Sequence, residues 1–303
     1  ILYRLVGSEM CIRDRPSPNR AETCLLVQAG TSKFIIDTGR GSADNLQRWR
    51  VDYSDLEAVI LSHLHSDHIS DLHEVQFQSW LGGRKTPLSV IGPVGTASTT
   101  QGFEQAFELD SIYRSEHHGA ILPIEAYGYD VVEFDGDSAL IFQNEDTSIT
   151  AFKVDHSPVD PAYAFKIEYK DRSIVLSGDT ISLEVMTEYS KGVDVLFHDA
   201  LALPLIQEME RISKELGNDI VSKVLFDIQD YHANTIEVAD IAKKAEVDLL
   251  VFYHLIPAPI NYISEQMFLR GVDEIFSNYH VSEDGTLVSL PAGSDEIFID
   301  LID

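Results

Sequence analysis

The sequence predicts an α/β fold, an αββα sandwich of two central mixed β-sheets with helices on both outer faces. Two observations carry this expectation. Short apolar or alternating runs of strand character recur in both halves of the chain, and each set is followed by segments whose apolar residues have helical spacing. The chain also has 303 residues and 44% hydrophobic content, enough to bury a full core, and sandwiches of this size commonly form one domain.

The first stretch stands apart. ILYRLVGSEMCIRDR does not read as the start of a globular domain, and EMCIRD is what the codons GAG ATG TGT ATA AGA GAC encode, so residues 1–15 read as translated sequencing-adapter DNA. The alternative is a genuine apolar first strand, since Ile1 to Val6 has strand character. If Cys11 is discounted, Cys24 stands alone, which excludes a disulfide framework and leaves the redox compartment undetermined. The native N-terminus, with any signal peptide, is then missing and localisation stays unknown. Residues 16–303 are read as a single domain.

Within that domain, Thr23 to Gln28 and Lys33 to Asp37 are hairpin strands about AGTSK, and Leu56 to Leu61 is a buried strand. Asp71 to Trp80 has helical spacing, and LGGRKTPLSVIGPVGT gives a loop, a short strand and a Gly-Pro turn. TASTTQGFEQAFELDSIYR is a further helix with Phe103, Phe107 and Leu109 as apolar positions, leaving YRSEHHG as its exit. Val131 to Leu176 is β throughout, broken by DGDS, NEDT and KDRS turns, and is read as the second sheet. Helices then alternate with strands: Leu183 to Tyr189, Asp194 to Phe197 as strand, Pro204 to Leu216, Thr235 to Ala245, Leu249 to Phe252 as strand, and Ile263 to Phe276. The tail EDGTLVSLPAGSDEIFIDL reads as a final hairpin. No repeat or low-complexity segment is present, and no run approaches the roughly 18 apolar residues of a membrane span.

Fifty acidic against 22 basic residues give a formal charge of −28. A field of that sign repels polyanions, so nucleic acid is disfavoured as a partner; the acidity reads instead as a solubility adaptation to a salty environment. Cations bound at one site would oppose the field locally and still attract a small anionic ester. No membrane partner is expected, and a homodimer is left open.

The chemistry concentrates in HLHSDH, residues 63–68, where the apolar run ending at Leu61 breaks into a turn. Imidazole nitrogens and a carboxylate at a strand end can be aimed at one point, and these are ligands that borderline cations such as zinc accept. His63 and His65 can serve one ion, while Asp67 and His68 point toward a second beside it. The bland alternative is a polar turn rich in histidine. Further candidate ligands follow strand-like runs: His156 after Ile149 to Val154, Asp179 after Ile174 to Leu176, and His254 after Leu249 to Phe252. Taken singly, each is as readily a satisfied strand-end residue or a helix cap.

Together these motifs resemble the metallo-β-lactamase superfamily, whose HxHxDH signature HLHSDH matches, and the resemblance implies that family's fold. It implies one zinc held by His63, His65 and His156, another by Asp67, His68 and His254, and Asp179 bridging, with manganese or iron as other divalent occupants. In IIDTGRG, Asp37 resembles the family's early Asp, which braces the metal loop. PSPNRAETCLLV is similar to the segment after the opening strand in ribonuclease Z-like members. VLFHDAL and YHANTIEVADIAKKA resemble the HEAT- and HST-type motifs of that branch, in which a His beside the metal ligands assists the leaving group; His232 would be that residue. Asp199 stands where the branch usually has Glu, and orienting His232 would fall to this shorter side chain. The alternative makes His232 only the flank of a helix capped by Asn234. YRSEHHG is similar to a stretch in arylsulfatase-like members, so Arg114, His117 and His118 are candidates to line a substrate pocket; an exposed loop is equally open.

True ribonuclease Z carries a long Gly-Pro-rich arm for tRNA between its third and fourth metal motifs, and only a short stretch separates His156 from Asp179. The expectation is therefore a dinuclear zinc-dependent hydrolase of small sulfate or phosphate esters, arylsulfatase-like or phosphodiesterase. Its nucleophile would be a metal-bound hydroxide oriented by Asp67. Ribonuclease Z, a lactonase or other acyl hydrolase, and a non-catalytic metal-binding member are the alternatives.

Overall fold

The structure is a computed structural model that describes residues 2–7 and 20–302. Strands β1 (Leu2–Gly7), β2 (Cys24–Ala29), β3 (Ser32–Ile36), β4 (Ala58–Ile60), β5 (Leu88–Pro93) and β6 (Tyr129–Phe134) begin the first sheet. The second contains β7 (Ser138–Gln143), β8 (Thr147–His156), β9 (Val159–Tyr169), β10 (Arg172–Leu176), β11 (Val195–Leu201), β12 (Leu249–Ile256) and β13 (Tyr279–Val281). The chain then returns to the first sheet as β14 (Thr286–Ser289) and β15 (Phe298–Leu301). Strand orders are β15-β14-β1-β2-β3-β4-β5-β6 and β13-β12-β11-β10-β9-β8-β7. Both sheets are mixed: β3 to β6 and β10 to β13 run parallel to their neighbours, while hairpins flank them.

Helices are α1 (Ser42–Arg48), α2 (Ser66–Ile69), α3 (Leu72–Leu81), α4 (Thr96–His118), α5 (Glu184–Tyr189), α6 (Leu203–Glu215), α7 (Asp219–Asp227), α8 (Thr235–Ala245) and α9 (Tyr262–Phe268). The sheets press together through Phe34, Ile36 and Ile60 from one and Phe165, Leu176, Phe197 and Val251 from the other. Ile35 and Val59 face outward under Leu46, Leu72 and Val75 of α1 and α3. Leu196, Leu250 and Phe252 do the same under Val238, Ala239 and Ala242 of α8. Central strands are buried on both faces, which is why they read as continuous apolar runs and not as alternating ones. Each fully buried side chain of this size contributes roughly 1.5–3 kcal/mol. The layers are α, β, β, α, as the sequence predicts.

Three local expectations are corrected. Val131 to Phe134 belongs to the first sheet, because β6 pairs parallel with β5 after crossing over through α4; a strand's sequence does not say which sheet it joins. YRSEHHG is not an exit loop: α4 continues to His118 and stops at Gly119, whose φ of 59° ends the helix. The helix expected over 263–276 ends at Phe268, and Gly271, at φ 86°, follows in a series of turns. Helices α1 and α7 and strand β13 come in addition. Within the stretch read as adapter-derived, Leu2–Gly7 pair on one side with β2 and on the other with β14, and residues 1 and 8–15 lie outside the described residues. Among the described residues no helix is long and apolar enough to cross a membrane.

Candidate metal centre

The implied ligands gather on one rim of the sandwich, from strand ends, from the turn α2 and from a bulge within β12. The apolar strand β4 delivers Ser62 and His63, and the single turn α2 carries Asp67 and His68. Asp37, just past β3 at φ 58°, ties this loop down: its carboxylate accepts from the Ser62 main-chain N–H at 2.8 Å, from Ser62 Oγ at 2.7 Å and from His68 Nδ1 at 2.8 Å. The last contact leaves His68 Nε2 to face the site, the usual way a carboxylate fixes the tautomer of a ligating imidazole. His156 ends β8 and is oriented likewise, with Nδ1 3.0 Å from the Tyr231 carbonyl.

Two backbone devices aim the remaining ligands. Asp179 follows β10 through Gly178 at φ 60°, where a Cβ would meet the Tyr163 carbonyl at 2.6 Å, so only glycine makes that turn. The ladder between β11 and β12 shifts register at Asp199/Ala200: Asp199 pairs with Tyr253 and Ala200 with Leu255. His254 is the extra residue, at φ 48°, and this bulge re-aims its side chain.

The ligating atoms converge. Asp179 Oδ2 lies 3.3 Å from His68 Nε2, 3.4 Å from His254 Nε2, 3.7 Å from His156 Nε2 and 3.9 Å from His63 Nε2. His65 Nδ1 is 3.1 Å from His63 Nε2 and 3.3 Å from His156 Nε2, and Asp67 Oδ2 is 3.7 Å from His254 Nε2. His63, His65 and His156 form one group whose ligand atoms lie within 4.8 Å of one another; Asp67, His68 and His254 form another, and Asp179 joins His63 and His68. His68 Nε2, His254 Nε2 and Asp179 Oδ1 are buried without hydrogen-bond partners. Buried polar atoms are normally satisfied, so orphaned imidazole nitrogens pointing at a shared carboxylate fit bound cations.

Charge supports the fit. Burial pushes His63, His65 and His156 below the ordinary imidazole range, which favours the neutral, ligating form. Burial acts in the same direction on His68 and His254, but Asp179, with Asp37 beside His68 and Asp67 beside His254, outweighs it and raises both. Asp67 is brought down to about 2 because its contact with His254 and the charge of His68 outweigh burial. Asp179 is likewise held well below the carboxylate range, with His254 and His68 overcoming its complete burial.

Beside this cluster His232 is buried, with Nδ1 2.7 Å from Asp199 Oδ2 and Nε2 without a partner. The shorter carboxylate reaches it. Asn234 caps α8 with no help from His232: its side chain accepts from Ile236 N and Glu237 N, and Glu237 returns the contact to Asn234 N. A cleft of about 440 Å³ borders the site, lined by His65, His156, Ser157, Pro158, Asp227, Asp230 and Tyr231.

Arg114, His117 and His118 are not among the converging groups. Arg114 sits on α4, paired with Asp110 at 2.8 Å and lying over the Phe77 ring, while His117 and His118 are exposed and contact each other. Ser62, Ser177, Gly178, His198 and Tyr231 join the site without having been singled out. All but Ser177, which lies two residues before Asp179, adjoin a residue that was, and that adjacency is the signal the sequence offers.

The fold and this ligand set define a metallo-hydrolase. The chain belongs to the metallo-β-lactamase superfamily, whose family model matches residues 18–254, and within it to the ribonuclease Z-like branch. Ribonuclease Z of Mycobacterium bovis BCG is 34% identical over 249 residues, 80% of this chain and 82% of its own length. That of Mycobacterium marinum is 36% identical over 251 residues, covering 81% and 84%. In structure, the metallo-β-lactamase fold protein YhfI from Bacillus subtilis superposes with a TM-score of 0.68 at 20% identity, over 94% of this chain and 98% of its own. The short form of human tRNase Z gives 0.67 at 19%, over 96% and 100%. These relatives overturn the expectation that nucleic acid is disfavoured as a partner. A net charge of −28 is a sum over the whole surface and does not describe the field at a cation-holding site. They lend no support to an arylsulfatase-like activity.

Proposed function

We propose that the protein is a metal-dependent phosphodiesterase that cuts RNA as a ribonuclease Z does, with a tRNA precursor as substrate. The observation that carries this is the Asp199–His232 pair, set beside the ligand cluster with a buried, unpartnered Nε2. Phosphodiester cleavage has a poor leaving group, and a group placed to protonate the departing oxygen is what that chemistry needs. The ribonuclease Z relatives supply the substrate class.

In this reading His63, His65 and His156 hold one divalent cation, zinc foremost, and Asp67, His68 and His254 a second, with Asp179 between them. Bound cations supply a water acidified for attack and positive charge against the phosphoryl oxygens. The rest falls to the chain. Asp37 holds His68 and the 62–68 loop in place, and Asp67 orients the attacking water. Asp199 fixes the His232 ring by accepting from Nδ1–H; the proton given to the departing oxygen is the Nε2–H of the doubly protonated ring, and its transfer leaves the neutral ring with Nδ1–H still on Asp199. The cleft beside His65 and His156, with the Tyr231 ring on its wall, receives a nucleotide flanking the scissile phosphate.

A small phosphodiester is the second reading, favoured by the tight β8–β9 connection: only Ser157 and Pro158 lie between His156 and Val159. A panel of a tRNA precursor, bis-nitrophenyl phosphate, a nitrophenyl sulfate and a lactone decides. Cleavage of the precursor on the 3′ side at low enzyme concentration is expected. Turnover of the small diester with intact precursor would move the assignment to the second reading, and hydrolysis of the lactone alone would overturn both.

A further inference from the structure

His198 precedes Asp199 on β11, is completely buried, and belongs to no ligand group. Its Nδ1 lies 2.9 Å from the main-chain carbonyl oxygen of Asp199 and 3.0 Å from Oδ1 of the same residue. Both neighbours are acceptors, so Nδ1 is the atom that carries the proton and donates. The other carboxylate oxygen, Oδ2, accepts from His232 Nδ1 at 2.7 Å. Asp199 is thus held by an imidazole at each oxygen, and only one of those rings faces the metal ligands.

The neighbouring hydroxyl does not duplicate this role. Ser177 Oγ is 3.4 Å from Asp199 Oδ1, but it donates its single proton to the Gly178 carbonyl at 2.6 Å and accepts the Asp199 N–H at 3.0 Å. Among the described residues His198 Nδ1 is the nearest donor to Oδ1, sharing its proton between that oxygen and the Asp199 carbonyl, and Ser177 Oγ is the longer contact. The anchor matters because of where Asp199 sits. The β11–β12 ladder shifts register immediately after it, and the terminal torsion of an aspartate is broad, so the plane of this carboxylate is set by its donors.

We propose that His198 is a positioning residue for leaving-group protonation: its Nδ1–H clamps Asp199 Oδ1 so that Oδ2 holds His232 with Nε2 toward the departing oxygen. This rests on the assignment of His232 to the leaving group. With the clamp removed, the carboxylate plane turns and carries His232 with it. Misplacement of a catalytic group by about 1 Å costs on the order of 10²-fold in rate.

The test uses the zinc-loaded protein and two phosphodiesters, a nitrophenyl ester with a good leaving group and a dinucleotide with a poor one. His198→Phe keeps a ring but no donor, and His198→Asn keeps an N–H near the position of Nδ1. Expected for His198→Phe is a fall in kcat of roughly 10²-fold on the dinucleotide and a far smaller one on the nitrophenyl ester, with KM and zinc content held. His198→Asn should recover most of the loss, and His232→Ala should show the same leaving-group dependence. Equal losses on both esters in His198→Phe, or loss of zinc, would overturn the positioning role while leaving His232 its own. Equal losses in His232→Ala would remove the assignment beneath it. Should His198→Phe not fold, the smaller donor-free His198→Leu replaces it, and Asp199→Asn is compared with Asp199→Asn/His198→Leu: no further loss from the second change supports the clamp acting through Asp199, and an additive loss refutes it.

Discussion

At the scale of single residues, Asp179 governs the charge of the centre. Its Oδ2 stands within 3.3 to 3.9 Å of four imidazoles, and in the metal-free protein it favours protons on the nearest of them, which a bound cation must displace. In the metal-free protein the raised His68 and His254 hold their protons to higher pH than an ordinary imidazole, while burial favours the neutral form of His63, His65 and His156. The sign of two pH effects follows. Protons on His68 and His254 stabilise the metal-free fold fully below the ordinary imidazole value near 6.5, and this contribution is lost as pH rises through their raised values. Cation binding must displace those protons, so affinity strengthens with pH over the same window and protons are released. Calorimetric titration of zinc into metal-free protein at neutral pH should therefore give heats that change with the ionisation enthalpy of the buffer, and His254→Ala should lower the proton release. Heats independent of buffer would show that the second group is already deprotonated and that Asp179 does not act as described.

At the scale of elements, ligand placement depends on how helices and strands end. Helix α8 packs Val238, Ala239 and Ala242 on the outer face of β11 and β12, the strands that carry Asp199 and His254. Its start is fixed by the Asn234 and Glu237 capping box, two residues after His232. Asn234→Ala removes an acceptor for two main-chain N–H groups and should cost about 1 kcal/mol, seen as a lower thermal midpoint. Because the cap sets where the chain enters the helix, kcat should fall more than zinc content does. A stability loss with full activity would show that His232 is held by Asp199 alone. This cap was legible in the sequence, as were the strand-end positions of the ligands, because both depend on local pattern. The bulge at His254 and the turn at Gly178 were not. Positive φ at a histidine leaves no trace in composition, and the need for glycine at position 178 comes from the Tyr163 carbonyl on another strand. The membership of β6 in the first sheet was illegible for the same reason, since crossover through α4 is a tertiary choice.

At the scale of the whole molecule, the acidic surface and the proposed RNA substrate act against each other, and this conflict misled the reading from composition. The layers and the ligand set were legible because they rest on periodicity and on a spaced motif; the partner was not, because a summed charge carries no information about position. Many of the described cations are engaged: Lys33 pairs with Asp55, Arg40 with Glu22, Arg114 with Asp110, Arg172 with Asp194 and Arg211 with Glu208 and Glu215. With a net charge of −28, RNA approaching this molecule would meet repulsion at long range, and cations bound at the site would supply attraction there. The Debye length shortens from about 30 Å at 0.01 M salt to about 10 Å at 0.1 M, which screens the distant acidic surface before it screens contacts at the site. For a basic nucleic-acid footprint, added salt weakens binding steeply through counterion release. For this protein kcat/KM on RNA should instead rise or stay level between those two salt concentrations, and decline only above them. A small uncharged ester measured in parallel should show little change over the same range, separating screening from any effect of salt on the metal centre. A steep monotonic fall with salt for RNA alone would mean that a basic surface dominates binding, in contradiction to the charge distribution described here.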